Sequence, residues 1–109
     1  MYEWAEKMEC AVTVCDREGT IIYMNERSRR TFERGEPLTG KSLMPCHNER
    51  SRSIIRRLLS EGGRNVYTIE KEGVRKLIFQ TAWRDAAGEV GGLAELSMEL
   101  PPDMPHYVR

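Results

Sequence analysis

The chain has 109 residues, 39% of them apolar, and its 17 basic and 17 acidic side chains cancel to a formal net charge of zero. This composition is ordinary for a globular domain of this length, so it excludes a disordered chain and a fibrous repeat. The apolar runs are far too short for a membrane span and no signal-peptide pattern opens the chain, so we expect a cytoplasmic location and no membrane partner.

Charge distribution and cysteine content argue against two further classes of protein. Residues 26–57 carry nine basic and four acidic side chains. Nucleic-acid-binding proteins are usually basic overall, so we interpret this stretch as a solvated surface and expect no nucleic-acid partner. Cys10, Cys15 and Cys46 are odd in number and irregular in spacing, unlike a disulfide framework. Without a Cys-x-x-Cys pair or closely spaced histidines, no metal site is expected.

The first nine residues predict a short amphipathic helix. Met1, Trp4, Ala5 and Met8 recur at helical spacing, with acidic and basic residues between them. A helix this short is unstable alone and its apolar stripe needs a surface to cover. We therefore expect it to pack on the domain or on a second copy of the chain, and we assign these four residues to a dimer interface.

The next segment predicts a hairpin followed by helices. Strands at about residues 10–16 and 20–24 flank the turn Asp16-Arg17-Glu18-Gly19, which has Asp at its first position and Gly at its fourth. Asn25 can cap a helix over 26–34 that ends at Gly35. Either Asn48 or Ser51 caps a second helix over 49–61.

The last third predicts three strands, at about 65–70, 75–84 and 90–100, with a second Asp-x-x-Gly turn at 85–88 and a bulge at Gly91–Gly92. We expect the helices to cover the more apolar face of these strands, which carries Leu77, Phe79, Thr81, Trp83, Ala94, Leu96, Met98 and Leu100. Glu95 and Glu99 are then expected on the opposite, solvated face.

This order of elements indicates an α+β fold in which an antiparallel sheet is covered by helices on one face. A small ligand would occupy the space between the helices and the sheet. The expected cavity wall consists of Met24, Phe32, Leu43, Ile54, Ile55, Leu58, Phe79 and Leu96.

Three segments of the chain resemble the PAS domain family of sensory modules, over about residues 8–100. They are the stretch from Val14 to Asn25, the segment Gly40-Lys41-Ser42-Leu43, and the Asp85-x-x-Gly88 hairpin that leads into Leu93–Ser97. The resemblance implies a PAS-like five-stranded antiparallel sheet of order 2-1-5-4-3 over residues 10–100, between the helix at 1–9 and a Pro-containing tail at 101–109. It also implies sensing, dimerisation or protein contact rather than catalysis.

Cys46-His47 is the candidate cofactor site, because a thiol and an imidazole can ligate haem iron or another metal. The alternative is a packed cysteine beside a capping or exposed histidine. Haem-binding PAS relatives typically carry the axial histidine within the main helix, and residues 49–61 contain none, so only a displaced ligand at His47 remains. Photoactive flavin is not expected, because Leu43 stands where the reactive cysteine of such relatives lies and Ser42 replaces their asparagine.

We therefore expect a signal-sensing and dimerisation module that binds a small ligand or a partner protein and has no catalysis of its own. The alternative is a haem or redox cofactor-binding sensor that uses His47 and Cys46. A catalytic triad has no support, because the only histidines are His47 and His106, and there is no G-x-S-x-G motif or phosphate loop. The short tail at 101–109 implies that the protein acts alone or that the chain is an excised piece.

Overall fold

The computed structural model describes residues 1–109 and places them in one five-stranded antiparallel sheet with helices packed on it. The helices are α1 (Glu3–Glu6), α2 (Glu26–Phe32) and α3 (Glu49–Glu61), with a 3₁₀ turn at Met44–Cys46. The strands are β1 (Ala11–Asp16), β2 (Ile21–Met24), β3 (Arg64–Lys71), β4 (Val74–Arg84) and β5 (Val90–Glu99). The sheet order is β2-β1-β5-β4-β3, which confirms the expected fold class and strand order.

The two Asp-x-x-Gly turns close their hairpins in the same way. Oδ1 of Asp16 accepts hydrogen bonds from the backbone N–H groups of Glu18 and Thr20, each at 3.0 Å. Oδ1 of Asp85 accepts equivalent bonds from Ala87 and Glu89 at 2.9 and 3.0 Å. In each turn the aspartate side chain thus binds the backbone N–H groups that follow it, so the local sequence alone specifies where both hairpins bend.

Asparagine caps fix the starts of the two longer helices. The side chain of Asn25 accepts from the backbone N–H of Ser28, and that of Asn48 accepts from Ser51, each at 2.9 Å. Asn48 is therefore the cap of α3, and Ser51 supplies the donor. α2 is shorter than expected and ends at Phe32, because Glu33 has extended backbone angles.

α1 is a single helical turn held against β2 and α2. The ring of Tyr2 stacks on that of Tyr23 with centroids 4.3 Å apart. Glu6 accepts a hydrogen bond of 2.8 Å from the Tyr23 hydroxyl and forms an ion pair of 2.5 Å with Arg29. These contacts compensate for the short length of the helix, which could not be stable in isolation.

The helices cover the opposite sheet face from the one expected. The core beneath them consists of Cys15, Ile21, Met24, Leu43, Ile55, Leu58 and Leu93. Leu93 and Glu95 lie on one face of β5, and Leu96 on the other, since side chains alternate along a strand. Alternation identifies the residues that share a face, but the packing of α3 against β4 and β5 decides which face is covered. No helix in the structure is long and apolar enough to cross a membrane.

Candidate functional site

A cavity of about 280 Å³ lies between the sheet and the layer formed by α2, α3 and their connecting loop. Its thirteen lining residues are mostly apolar, and four of the eight expected wall residues are among them: Met24, Phe32, Leu43 and Ile55. This volume is just below the range of roughly 300–1,000 Å³ typical of ligand pockets. The space therefore suits a small organic molecule.

The other four expected wall residues lie elsewhere. Leu58 is fully buried in the adjoining core, and Ile54 lines a neighbouring polar cleft between α3 and strands β3 and β4. Phe79 and Leu96 pair with each other on the outer face of the sheet, so their assignment to the cavity was wrong. Both residues belong to the apolar face of the sheet that was expected to lie beneath the helices, whereas the helices cover the other face.

Several wall residues were missed in the sequence. They are Thr13, Cys15, Ile21, Arg34, Leu38, Leu93 and Glu95. Glu95 had been expected on the solvated face. The pairing of Cys15 with Leu93 across β1 and β5 places both on the helix-covered side, but this register becomes visible only when the strands are assembled.

A row of polar side chains crosses the middle of the helix-covered sheet face. Asn65, Gln80, Glu95 and Thr13 occupy directly paired positions on β3, β4, β5 and β1. Asn65 donates to Oε1 of Gln80 at 3.0 Å, and the Thr13 hydroxyl bonds to that of Ser28. Thr13 and Glu95 of this row lie in the cavity wall, whereas Asn65 and Gln80 line the neighbouring polar cleft.

Glu95 is the titratable centre of this row. Burial raises the pKa of its carboxyl above the usual range, and a hydrogen bond from Gln80 and the nearby charge of His47 act in the opposite direction. Since burial is the largest influence, the apolar cavity disfavours the charged carboxylate more than its neighbours stabilise it.

His47 and Cys46 both line the cavity, but their surroundings differ. Nδ1 of His47 lies 2.8 Å from the carbonyl oxygen of Leu43, which orients the ring. Nε2 makes no hydrogen bond within the chain. Cys46 is exposed at the cavity mouth, whereas burial raises the pKa of Cys15 to about 11 and so keeps that thiol protonated at neutral pH. No group of three or more His, Cys, Asp or Glu side chains is placed to hold a metal ion.

The four residues assigned to a dimer interface do not form one exposed surface. Met1 and Trp4 are 92% and 69% exposed, and Met8 is half-buried. Ala5 is completely buried within its own chain, so its assignment to an interface was wrong. Its backbone carbonyl accepts a hydrogen bond of 2.9 Å from Nδ2 of Asn25, which holds this side of α1 against the domain.

A family model described as PAS fold matches residues 5–100. No curated protein sequence matches the chain. The Aer2 receptor from Vibrio cholerae, described as a dual PAS-heme oxygen sensor, is 20% identical with a TM-score of 0.65, over 84% of this chain and 95% of that one.

Two further solved structures share the architecture. The PAS domain of the histidine kinase ThkA is 19% identical with a TM-score of 0.67, over 84% of this chain and 99% of that one. A VqmA dimer from Vibrio cholerae is 14% identical with a TM-score of 0.65, over 88% of this chain and 48% of that one. The family model covers most of the chain, and these structures have the same fold, so the chain belongs to the PAS fold family of sensory domains.

Proposed function

We propose that this PAS domain is a cytoplasmic signal-sensing and dimerisation module whose cavity binds a small ligand and which has no catalysis of its own. The observation that carries this proposal is the cavity of about 280 Å³, whose walls are mostly apolar with a few polar groups. Such a composition is typical of small-molecule sites, in which apolar walls supply affinity and polar groups supply orientation.

The signal would be a shift between two packings of the same fold. The cavity is lined by the end of α2, the loop after it and β5, so a ligand that contacts them favours the packing in which they close around it. α2 is also tied to α1 through Arg29 and Glu6. A change at the cavity would therefore reach the N-terminal segment, where a second copy or a signalling partner protein could respond.

Native mass spectrometry after mild purification tests the ligand. We expect a retained small molecule with the wild-type protein and its loss with Leu38→Trp, because the half-buried Leu38 lies in the cavity wall and indole would fill the space. Ile22→Trp is the matched control, since Ile22 is 40% exposed and outside the cavity. If Leu38→Trp is folded and retains the molecule, the cavity is not the site.

The outer face of the sheet supports dimerisation with a second copy. Leu77, Phe79, Leu96 and Met98 form paired, half-buried apolar positions there, and the neighbouring Val66 is 44% exposed. Extended exposed apolar patches mark interaction sites. The similar VqmA structure is described as a dimer. If two copies of this chain paired through their apolar sheet faces, each would cover the face of the other.

Sedimentation velocity tests the dimer. We expect a concentration-dependent dimer that Phe79→Glu converts to a monomer, because the charge would be buried at the contact. Ser60→Glu, at an exposed position of α3 on the other side of the sheet, is the control. A wild-type protein that stays monomeric at all concentrations contradicts the dimer.

A haem or redox cofactor held by His47, with Cys46 nearby, is the second candidate function. The supporting observation is that His47 lines the cavity with Nε2 unengaged. A cavity of about 280 Å³ is small for a macrocycle, so the walls would have to separate. Haem titration decides between a small-ligand sensor and a haem sensor. A bound-haem absorption band in the wild-type protein that is lost in His47→Ala supports the haem sensor, and a wild-type spectrum of free haem rejects it.

A further inference from the structure

We propose that Glu95 anchors the ligand, so that the cavity selects a small, mainly apolar molecule carrying one basic or N–H-donating nitrogen group, such as an amidine or an amino-heterocycle. This inference rests on the proposed function, because it specifies the chemistry of the molecule that the cavity would bind.

Glu95 has unused acceptor capacity. It lies at the centre of the polar row, with Thr13 on one side and Gln80 on the other, and it faces the cavity. None of the eight ion pairs in the chain involves it. A carboxylate has about four acceptor positions, and the Gln80 amide is the one hydrogen-bond donor that acts to lower the pKa of Glu95.

The uncharged polar groups beside Glu95 are already engaged, whereas Nε2 of His47, which also lines the cavity, is not. Oε1 of Gln80 accepts from Asn65, and the Thr13 hydroxyl is bonded to Ser28. The guanidinium of Arg34 donates to the backbone carbonyls of Thr31 and Glu33 at the exposed end of α2. Glu95 is the only carboxylate of the wall, and its oxygens are therefore the acidic acceptors left for a ligand.

Burial of the Glu95 carboxylate has a cost that a ligand can offset. An acidic group in an apolar wall loses hydration unless hydrogen bonds or an opposite charge replace it. Burial raises the pKa of Glu95, which shows that the chain's own residues do not fully replace that hydration. A ligand with a cationic or N–H-donating nitrogen would do so, whereas an anionic ligand would be repelled by Glu95 and would have to bind at Arg34, at the exposed end of α2.

Three compounds with the same ring test the proposal: benzamidine, neutral benzyl alcohol and benzoate. Isothermal titration at pH 7.5 should show benzamidine binding to the wild-type protein about tenfold or more tightly than either of the others, because charge-assisted hydrogen bonds are the strong ones. Glu95→Gln should remove this preference and leave benzyl alcohol unchanged. Glu99→Gln, on the same strand and face but exposed, should behave as wild type.

The possible outcomes separate the anchor from the cavity. The role of Glu95 as anchor is overturned if benzoate binds as tightly as benzamidine, or if Glu95→Gln leaves the benzamidine affinity unchanged. In either case, binding of benzyl alcohol to the wild-type protein still supports the proposed ligand-binding cavity. Failure of all three compounds to bind the wild-type protein rejects both. The comparison among compounds uses the wild-type protein, so it does not depend on the folding of any variant.

Discussion

Asn25 uses every hydrogen-bonding position of its side chain, and each bond goes to a different part of the fold. Oδ1 accepts from the backbone N–H groups of Val12 and Ser28, and Nδ2 donates to the carbonyl oxygens of Ala5 and Cys10, all at 2.9 Å. The residue is fully buried. One side chain therefore joins α1, β1 and the start of α2.

We expect Asn25→Ala to destabilise the protein by clearly more than Asn48→Ala. Both residues cap a helix, and loss of a cap costs about 1 kcal/mol. At Asn25 the substitution also leaves the Cys10 carbonyl and the Val12 N–H without their side-chain partner, at about 1–3 kcal/mol for each one that water cannot reach, while the Ala5 carbonyl still accepts from Met8. Urea denaturation measures the difference, and equal losses for the two variants would contradict the structural account.

Glu95→Gln should change the pH dependence of stability in a defined direction. Burial raises the pKa of Glu95 in the folded protein, so the folded state holds its proton more tightly than the unfolded state. Its contribution to stability is fully present below the unfolded pKa and is lost as pH rises through the folded value. The uncharged glutamine has no such loss.

The stability of Glu95→Gln relative to wild type should therefore increase from pH 4 to pH 8, as followed by urea denaturation. Glu99→Gln should show no comparable trend, because Glu99 is exposed. If the relative stability of Glu95→Gln is constant across this range, or falls, burial does not raise the pKa of Glu95.

At the scale of elements, two glycines follow the first residue of β5 because Trp83 lies across them. A Cβ at Gly91 would be 2.2 Å from Cζ3 of Trp83, and a Cβ at Gly92 would be 2.0 Å from the carbonyl oxygen of Cys15. The indole N–H donates to that same carbonyl at 3.2 Å. The register shifts between Trp83 and Arg84, which confirms the bulge expected at Gly91–Gly92.

Gly91→Ala and Gly92→Ala should both be destabilising, by about 1–3 kcal/mol as for other overpacked sites, but for different reasons. The clash at Gly91 is with a side chain, so the substitution should cost less in a Trp83→Ala background. The clash at Gly92 is mainly with backbone and should remain. A double-mutant cycle by urea denaturation measures this, and equal coupling at the two glycines would contradict the geometry.

The elements themselves were predictable because their signals are local. Asp16 and Asp85 bind the backbone of their own turns, and Asn25 and Asn48 cap the helices that follow them, so a few adjacent residues determine each boundary. The end of α2 was less certain, because Arg29 to Arg34 contains no residue that forces a stop before Gly35. The strand order followed from resemblance to the PAS family, since no local signal specifies how distant strands pair.

The candidate site was only partly predictable, because its two walls have different origins. The wall residues that were predicted correctly belong to elements with a single apolar side, which could only face the interior. They are Met24, Phe32, Leu43 and Ile55. β4 and β5 carry plausible residues on both faces, and the more apolar one, with Phe79 and Leu96, is not covered by helices. Glu95 was consequently placed in solvent, although it lies in the cavity wall.

At the scale of the whole molecule, β5 has the proposed ligand site on one face and the proposed dimer surface on the other. Glu95 lies in the cavity wall, and its neighbours Ala94 and Leu96 point to the outer face. Because the backbone is shared, a shift of β5 that improves the fit to a ligand also moves the outer side chains. Ligand binding and dimerisation are then linked, and linkage is reciprocal.

We therefore expect benzamidine to change the dimer dissociation constant, and the affinity for benzamidine to change by the same factor between monomer and dimer. Sedimentation velocity with and without the compound measures the first effect, and titration at protein concentrations below and above the dimer dissociation constant measures the second. Coupling in such systems is typically about 5–150-fold. Phe79→Glu should bind benzamidine with the monomer affinity at every concentration. If both constants are independent of each other, the two faces of β5 act separately, and the signal must leave the domain through α1 instead.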